Sequence, residues 1–284
     1  MRKHAFTVVE LLVVVAIIGA LMMILLPNLA AALERARQAQ CAANLRSIGQ
    51  SIKVYSSGNR GKWPSVYPSG EGEWGEDYDP EDPVISDYEG TKDKDPEDMA
   101  EEGYDFQCNL SCLYLLIRKG MSSPAVFQCP SADYRVDMED TDYENLWSFQ
   151  LASNVCYSYQ NQVGKGTTDS ADSAMIVAAD VNPMRTDLIE EMSDRAEDRN
   201  INQDDERYKL NSPNHDFEGQ NCLYADGHVE WQTNPYVGVR GNNIWTMSVY
   251  DPSAEEEDEA WEEEEGPGNY DDPIGSKKDT WLVP

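Results

Sequence analysis

Between Phe6 and Leu26 the chain reads FTVVELLVVVAIIGALMMILL, 21 residues in which Glu10 is the single charge and Thr7 the one other clearly polar side chain. As a helix rising about 1.5 Å per residue this segment is roughly 31 Å long, enough to cross the hydrocarbon core of a bilayer. The preceding MRKH is basic, which orients such a span with its amino end in the cytoplasm and sends the rest of the chain outward. A secretory signal peptide is disfavoured, because its apolar core is shorter and is not continued by a strong helix. A plain anchor leaves Glu10 unexplained, since an acid inside an apolar span is costly and calls for a partner.

The helical pattern continues past Pro27. Apolar residues recur at Leu29, Leu33, Ala36, Leu45, Ile48, Ile52 and Tyr55, the three-, four- and seven-residue spacings of an amphipathic helix, and Ser57-Gly58 is a natural stop. Pro27 has no amide donor and is expected to bend this helix near the membrane exit. The outward face of the upper stem carries Arg35, Arg37, Arg46 and Lys53 against Glu34.

The rest of the 284 residues is acidic: the net charge is −31, of which residues 71–105 supply −14 and residues 251–272 supply −12. These runs are rich in Gly, Pro and acids and read as solvated loop and tail. Their carboxylates, as in GEDYDPEDP, make Ca2+ the one cofactor the composition suggests, without EF-hand spacing. Such a surface repels phosphate backbones, so nucleic acid is excluded as a partner of the head.

The segment NLSCLYLLIRKGM reads as a short helix, AVFQCPSA as a strand or turn, and VCYSYQNQV and SAMIVAAD as strands. In QNCLYADGHVEWQT, Asp226-Gly227 is the preferred pair for a tight hairpin turn between two strands. The expected fold is α+β: a long N-terminal helix, transmembrane below and amphipathic above, packed on an antiparallel sheet head with long acidic loops. The divisions are 1–5 leader, 6–58 membrane and stem helix, 59–106 acidic insertion, 107–250 head and 251–284 acidic tail.

Six cysteines, at 41, 108, 112, 129, 156 and 222, allow 15 disulfide pairings, and the sequence chooses none. Cys108 and Cys112 share a helix face. No CxxC pair occurs, which argues against zinc, and no metal site is assigned. His215, Asp226 and His228 suggest acid-base or metal chemistry, but turn geometry accounts for Asp226 and strand alternation for His228, so no catalytic residue is assigned and the chain is not read as an enzyme. The seven tryptophans are scattered as packing residues are. Their other reading is a sugar-binding aromatic platform.

The stretch AFTVVELLVVVAIIGALMMILLPNL resembles the amino-terminal signal of type IV pilins and type II secretion pseudopilins. By that resemblance a prepilin peptidase cuts between Ala5 and Phe6, and Phe6 becomes an N-methylated first residue. Glu10 is then the fifth-position acid that pairs with the amino terminus of a neighbouring copy, and Pro27 is the helix-bending proline. Ala5 stands where the family has glycine.

A second stretch, SPNHDFEGQNCLYADGHVEW with FQCPSA and YSYQNQ, resembles a head domain found with this leader in planctomycete and verrucomicrobial proteins and named for a His-x9-Asp-Gly motif. Its counterparts are His215, Asp226 and Gly227, with ten intervening residues. The resemblance implies a filament subunit of the bacterial inner membrane, single-pass, with its head periplasmic or extracellular. Its partners would be copies of itself or other pseudopilins, the peptidase and an inner-membrane assembly platform. The competing reading is a membrane-anchored extracytoplasmic module that binds carbohydrate or another substrate and uses the leader only for export.

Overall fold

The computed structural model describes residues 8–65, 109–132, 135, 138, 149, 152–160, 167–183, 210–245, 248–250, 261–263 and 282–283. Ala5, Phe6 and Cys108 lie outside this set. So do residues 71–105 and nearly all of 251–272, and with them the acidic segments on which the Ca2+ expectation falls.

The first element, α1 (Val8–Gly58), is a 51-residue α-helix that runs without a break across position 27. It ends where Ser57-Gly58 lead the chain out. The Asn59 side-chain amide donates to the Tyr55 carbonyl, the Gly61 amide returns to the Ser56 carbonyl, and Arg60 and Gly61 take positive φ of 58° and 78°. These bonds satisfy carbonyls that the last helical turn leaves free.

Every described side chain of α1 from Val8 to Leu33 is exposed, whereas Cys41, Leu45, Ile48, Ser51, Ile52 and Ser56 are buried. The amphipathic reading therefore holds for the upper stem only: Leu29, Leu33 and Ala36 keep the helical spacing but have no sheet beneath them. Among the described residues, no helix is long and apolar enough to cross a membrane. The described apolar side chains run from Val8 to Met23, a rise of about 24 Å against a hydrocarbon core of roughly 30 Å. The 21-residue span expected from the sequence takes in side chains beyond them.

The main sheet is antiparallel and is built from β1 (Tyr157–Gln160), β2 (Ile176–Asp180), β3 (Gln220–Tyr224), β4 (Val229–Gln232) and β7 (Leu282–Val283), in the order β4-β3-β2-β1-β7. A separate two-stranded ribbon pairs β5 (Ser248–Tyr250) with β6 (Trp261–Glu263). The second helix, α2, is Asn109–Arg118, and AVFQCPSA, expected as a strand or turn, is the turn: its first three residues belong to the 3-10 turn Pro124–Phe127. The chain is thus α+β, as the alternating patterns indicated. One strand lies where the sequence reads as acidic tail: Leu282 is fully buried, its amide bonded to the Ile244 carbonyl and its carbonyl accepting from the Asn182 side chain.

Both faces of the sheet are covered, so β1, β2 and β3 are buried at every position. On one side α1 and α2 close a core that includes Leu45, Ile48, Leu113, Leu116, Phe127 and Leu223. On the other, Ile176, Ala179, Cys222, Ile244, Trp245 and Leu282 form a second layer. Val177 and Ala178 both belong to the first core, a break in alternation explained by the register shift between Ile176 and Ala178 opposite β3.

Gly49 sets the approach of helix to sheet, because a Cβ there would sit 2.8 Å from Leu223 Cδ1. Higher up, Lys53 reaches Asp169 at 2.9 Å, the Trp63 indole donates to the same carboxylate oxygen at 3.2 Å, and the Trp63 amide bonds the Thr167 carbonyl. Arg46 meets the Val229 carbonyl at 3.5 Å. Two of the four stem cations expected on the outer face are thus engaged by the head.

Candidate functional site

The junction where α1 first meets the head gathers its polar residues from four separate parts of the chain. Glu34 comes from α1. Ser131 and Cys129 follow the 3-10 turn, and Asp180 ends β2. His215 ends the one-turn 3-10 helix Pro213–His215, which is capped by the Ser212 hydroxyl accepting from the Asn214 amide. That turn is buried throughout and leaves through Asp216 in the left-handed region (φ 54°).

His215 is fully enclosed. Its Nδ1 lies 2.7 Å from Glu34 Oε1. The Ser131 hydroxyl donates to both oxygens of the same carboxylate, at 2.9 and 3.1 Å, and Arg37 stands 3.7 Å away, so Glu34 acts as an acceptor and Nδ1 carries the proton. The opposite nitrogen, Nε2, faces Asp180 Oδ2 at 3.5 Å and Cys129 Sγ at 3.7 Å. The Trp231 ring from β4 closes the side of the imidazole edge-on, centroids 5.3 Å apart.

Asp180 is itself buried. Its Oδ2 accepts from the Asn221 amide at 2.7 Å and the Asn221 side chain at 3.2 Å, and its Oδ1 accepts from Asn214 at 3.3 Å. Burial pushes this carboxyl above the ordinary carboxylate value, while His215 and the donors from Asn221 and Asn214 pull the other way. Asn214 also donates to the Cys156 carbonyl and Asn221 to the Gln38 carbonyl, so both amides are fixed by backbone on either side.

Cys41 of α1 and Cys129 form a disulfide across 88 positions, with Cα atoms 5.5 Å apart. Their sulfurs, an Asp180 oxygen and a His215 nitrogen all lie within 4.8 Å of one another and are buried. Cys112, Cys156 and Cys222 are buried and lie outside this disulfide, and burial holds the Cys222 thiol well above its usual value. No CxxC exists because the two cysteines that meet come from the stem and from a distant turn. The local signal is FQCPSA with a lone cysteine in the stem, and only the fold joins them.

The other motif residues lie elsewhere. Asp226 and Gly227 form the exposed tip of the β3-β4 hairpin, as the sequence indicated. Gly227 takes φ 95° and donates to the Tyr224 carbonyl, and Asp226 bonds both the amide and the ring of His228. These bonds hold the Asp226 carboxyl below its usual value, with the His228 amide contributing most. His215 and the Asp-Gly turn therefore frame β3 from opposite ends and do not share one site. Glu10 is an exposed residue in the first turn of α1, and Pro27 lies within the same helix. Trp63 and Trp245 are core residues rather than members of an aromatic platform. Compared with family models, with curated proteins and with solved structures, the chain matches none.

Proposed function

We propose that this chain is a pilin-like or pseudopilin subunit, cleaved between Ala5 and Phe6, N-methylated, and polymerised through the lower half of α1. The observation that carries the reading is the run Val8–Met23: a regular helix whose described side chains are all exposed, nearly all of them apolar, with Glu10 among them. Water is a poor environment for such a surface, and a membrane followed by sister helices is a good one. Glu10 would then meet the cationic amino terminus of another copy. Either charge left alone in a low-dielectric bundle is strongly unfavourable, so the pair fixes axial register. The inner membrane is the expected location, with the head outside the cytoplasm. The burial of Trp63 and Trp245 weighs against the carbohydrate-binding alternative.

The mass of the mature amino terminus tests the processing: loss of residues 1–5 and gain of one methyl group is expected, and a protein that retains MRKHA refutes it. Glu10→Ala is expected to leave cleavage intact and abolish filaments in sheared fractions. Normal filaments from that variant would remove the charge-pair mechanism.

A further inference from the structure

The stem-head junction has the composition and layout of a metal centre, and this rests on geometry separate from the filament reading. We infer that, in the chain whose Cys41–Cys129 bond is reduced, Cys41, Cys129, His215 and Asp180 bind one Zn2+ ion tetrahedrally.

The distances fit. Zinc bonds of about 2.3 Å to sulfur and about 2.0–2.2 Å to nitrogen and oxygen put tetrahedral ligand atoms roughly 3.3–3.8 Å apart. His215 Nε2 is 3.5 Å from Asp180 Oδ2 and 3.7 Å from Cys129 Sγ, and all four donors fall within 4.8 Å of one another. With Nδ1 bonded to Glu34, Nε2 is the ring atom turned towards a buried carboxylate and a sulfur, positions that a cation between them would bridge.

The surroundings match what orients zinc ligands elsewhere. Glu34 holds the outer nitrogen of His215 at 2.7 Å, the carboxylate-histidine pairing that fixes the ring's tautomer. Asn214 fixes Asp180 Oδ1 and Asn221 donates twice to Oδ2, the oxygen that also faces His215, so the ion would take that oxygen in exchange for one of the Asn221 bonds. The remaining buried cysteines stand outside the group. The donors come from α1, the turn after Pro124–Phe127, β2 and the Pro213–His215 turn. The ion would therefore tie stem to head at the point that the disulfide ties in the oxidised chain.

The interconversion balances with a dithiol as reductant. Its two S–H protons pass to Cys41 and Cys129 as its own sulfurs join, and Zn2+ then displaces those protons to solvent. With two thiolates, one carboxylate and a neutral imidazole the loaded centre carries one net negative charge.

Full-length protein in detergent, reduced with a dithiol and freed of excess reductant, is titrated with Co2+ and then Zn2+. One equivalent of Co2+ is expected to give the intense visible bands of a tetrahedral site and a thiolate charge-transfer band, both bleached by Zn2+. The oxidised protein should give neither. His215→Ala and Cys41→Ser are expected to lose the signal, and Cys222→Ser to keep it. Glu34→Gln, a positioning change, should weaken affinity about 10- to 100-fold while the spectrum keeps its shape. If a variant fails to fold, X-ray absorption on the zinc-loaded wild type still decides: two sulfur and two light scatterers are expected. A folded, reduced wild type that shows no tetrahedral signal overturns the inference. So does a sulfur count other than two, or a signal that survives in folded His215→Ala.

Discussion

The two halves of α1 are one helix with two different fates. From Val8 to Leu33 its described side chains are exposed, while from Cys41 to Ser56 one face sinks into the core. Both halves contain leucine, isoleucine and glycine, so residue type does not separate them. What differs is the spacing of apolar residues and what lies opposite. The upper half confines them to positions three or four apart and sets Leu223 of β3 against Gly49. The lower half is apolar all round, which no single sheet can cover and which suits lipid or several helices at once. An amphipathic half is matched to one covering surface, whereas the uniformly apolar described surface of the lower half would need partners on every side.

Large-to-small changes break this comparison most sharply. Leu45→Ala is expected to destabilise the head by about 2–5 kcal/mol in thermal or denaturant unfolding, because Leu45 is wholly enclosed. Leu21→Ala, at an exposed position, should leave head unfolding unchanged. Equal effects at both sites would mean the two halves are not distinct.

The glycines sharpen it further. Gly49→Val forces a branched side chain onto Leu223 and is expected to cost about 1–3 kcal/mol. A Cβ at Gly19 would meet nothing within 4 Å, so Gly19→Val should not move the head transition.

The smallest effect concerns the latch at the top of the stem. Burial pushes the Asp169 carboxyl up, but hydrogen bonds from Ser56, Lys53 and Trp63 outweigh it, and the net value lies below the ordinary 3.8. A lowered folded-state value means stability present above about pH 3.8 and lost as pH falls through the folded value. Asp169→Asn is expected to remove that part of the acid dependence and to lower stability at neutral pH by no more than about 1 kcal/mol, since the Lys53 pair is solvent-exposed. Denaturant melts at pH 3 and pH 7 check both points.

Local chemistry is legible in the sequence. The helix stop at Ser57-Gly58, the Asp226-Gly227 turn and the strands within YSYQ and IVAAD follow from residue spacing and turn propensity, which act over a few positions. The junction is not legible, because its contacts are long-range: Glu34 to His215 spans 181 positions and Cys41 to Cys129 spans 88. His215 stands out by its motif, but its partners Glu34 and Asp180 look like ordinary acids in the linear text. AVFQCPSA reads as a strand or turn, and Pro124 decides for the turn by starting a 3-10 turn that ends at Phe127.

The short β7 strand carries a consequence for how the head is made. It covers the outer edge of β1, and Leu282 joins Asn182 from 100 positions further along the chain. A nascent head that has not yet received this segment displays a row of unpaired amides and carbonyls, an invitation to strand exchange between neighbouring copies. Delivery of those two residues covers Tyr159 and Gln160 on that edge, and termination before Leu282 leaves them open.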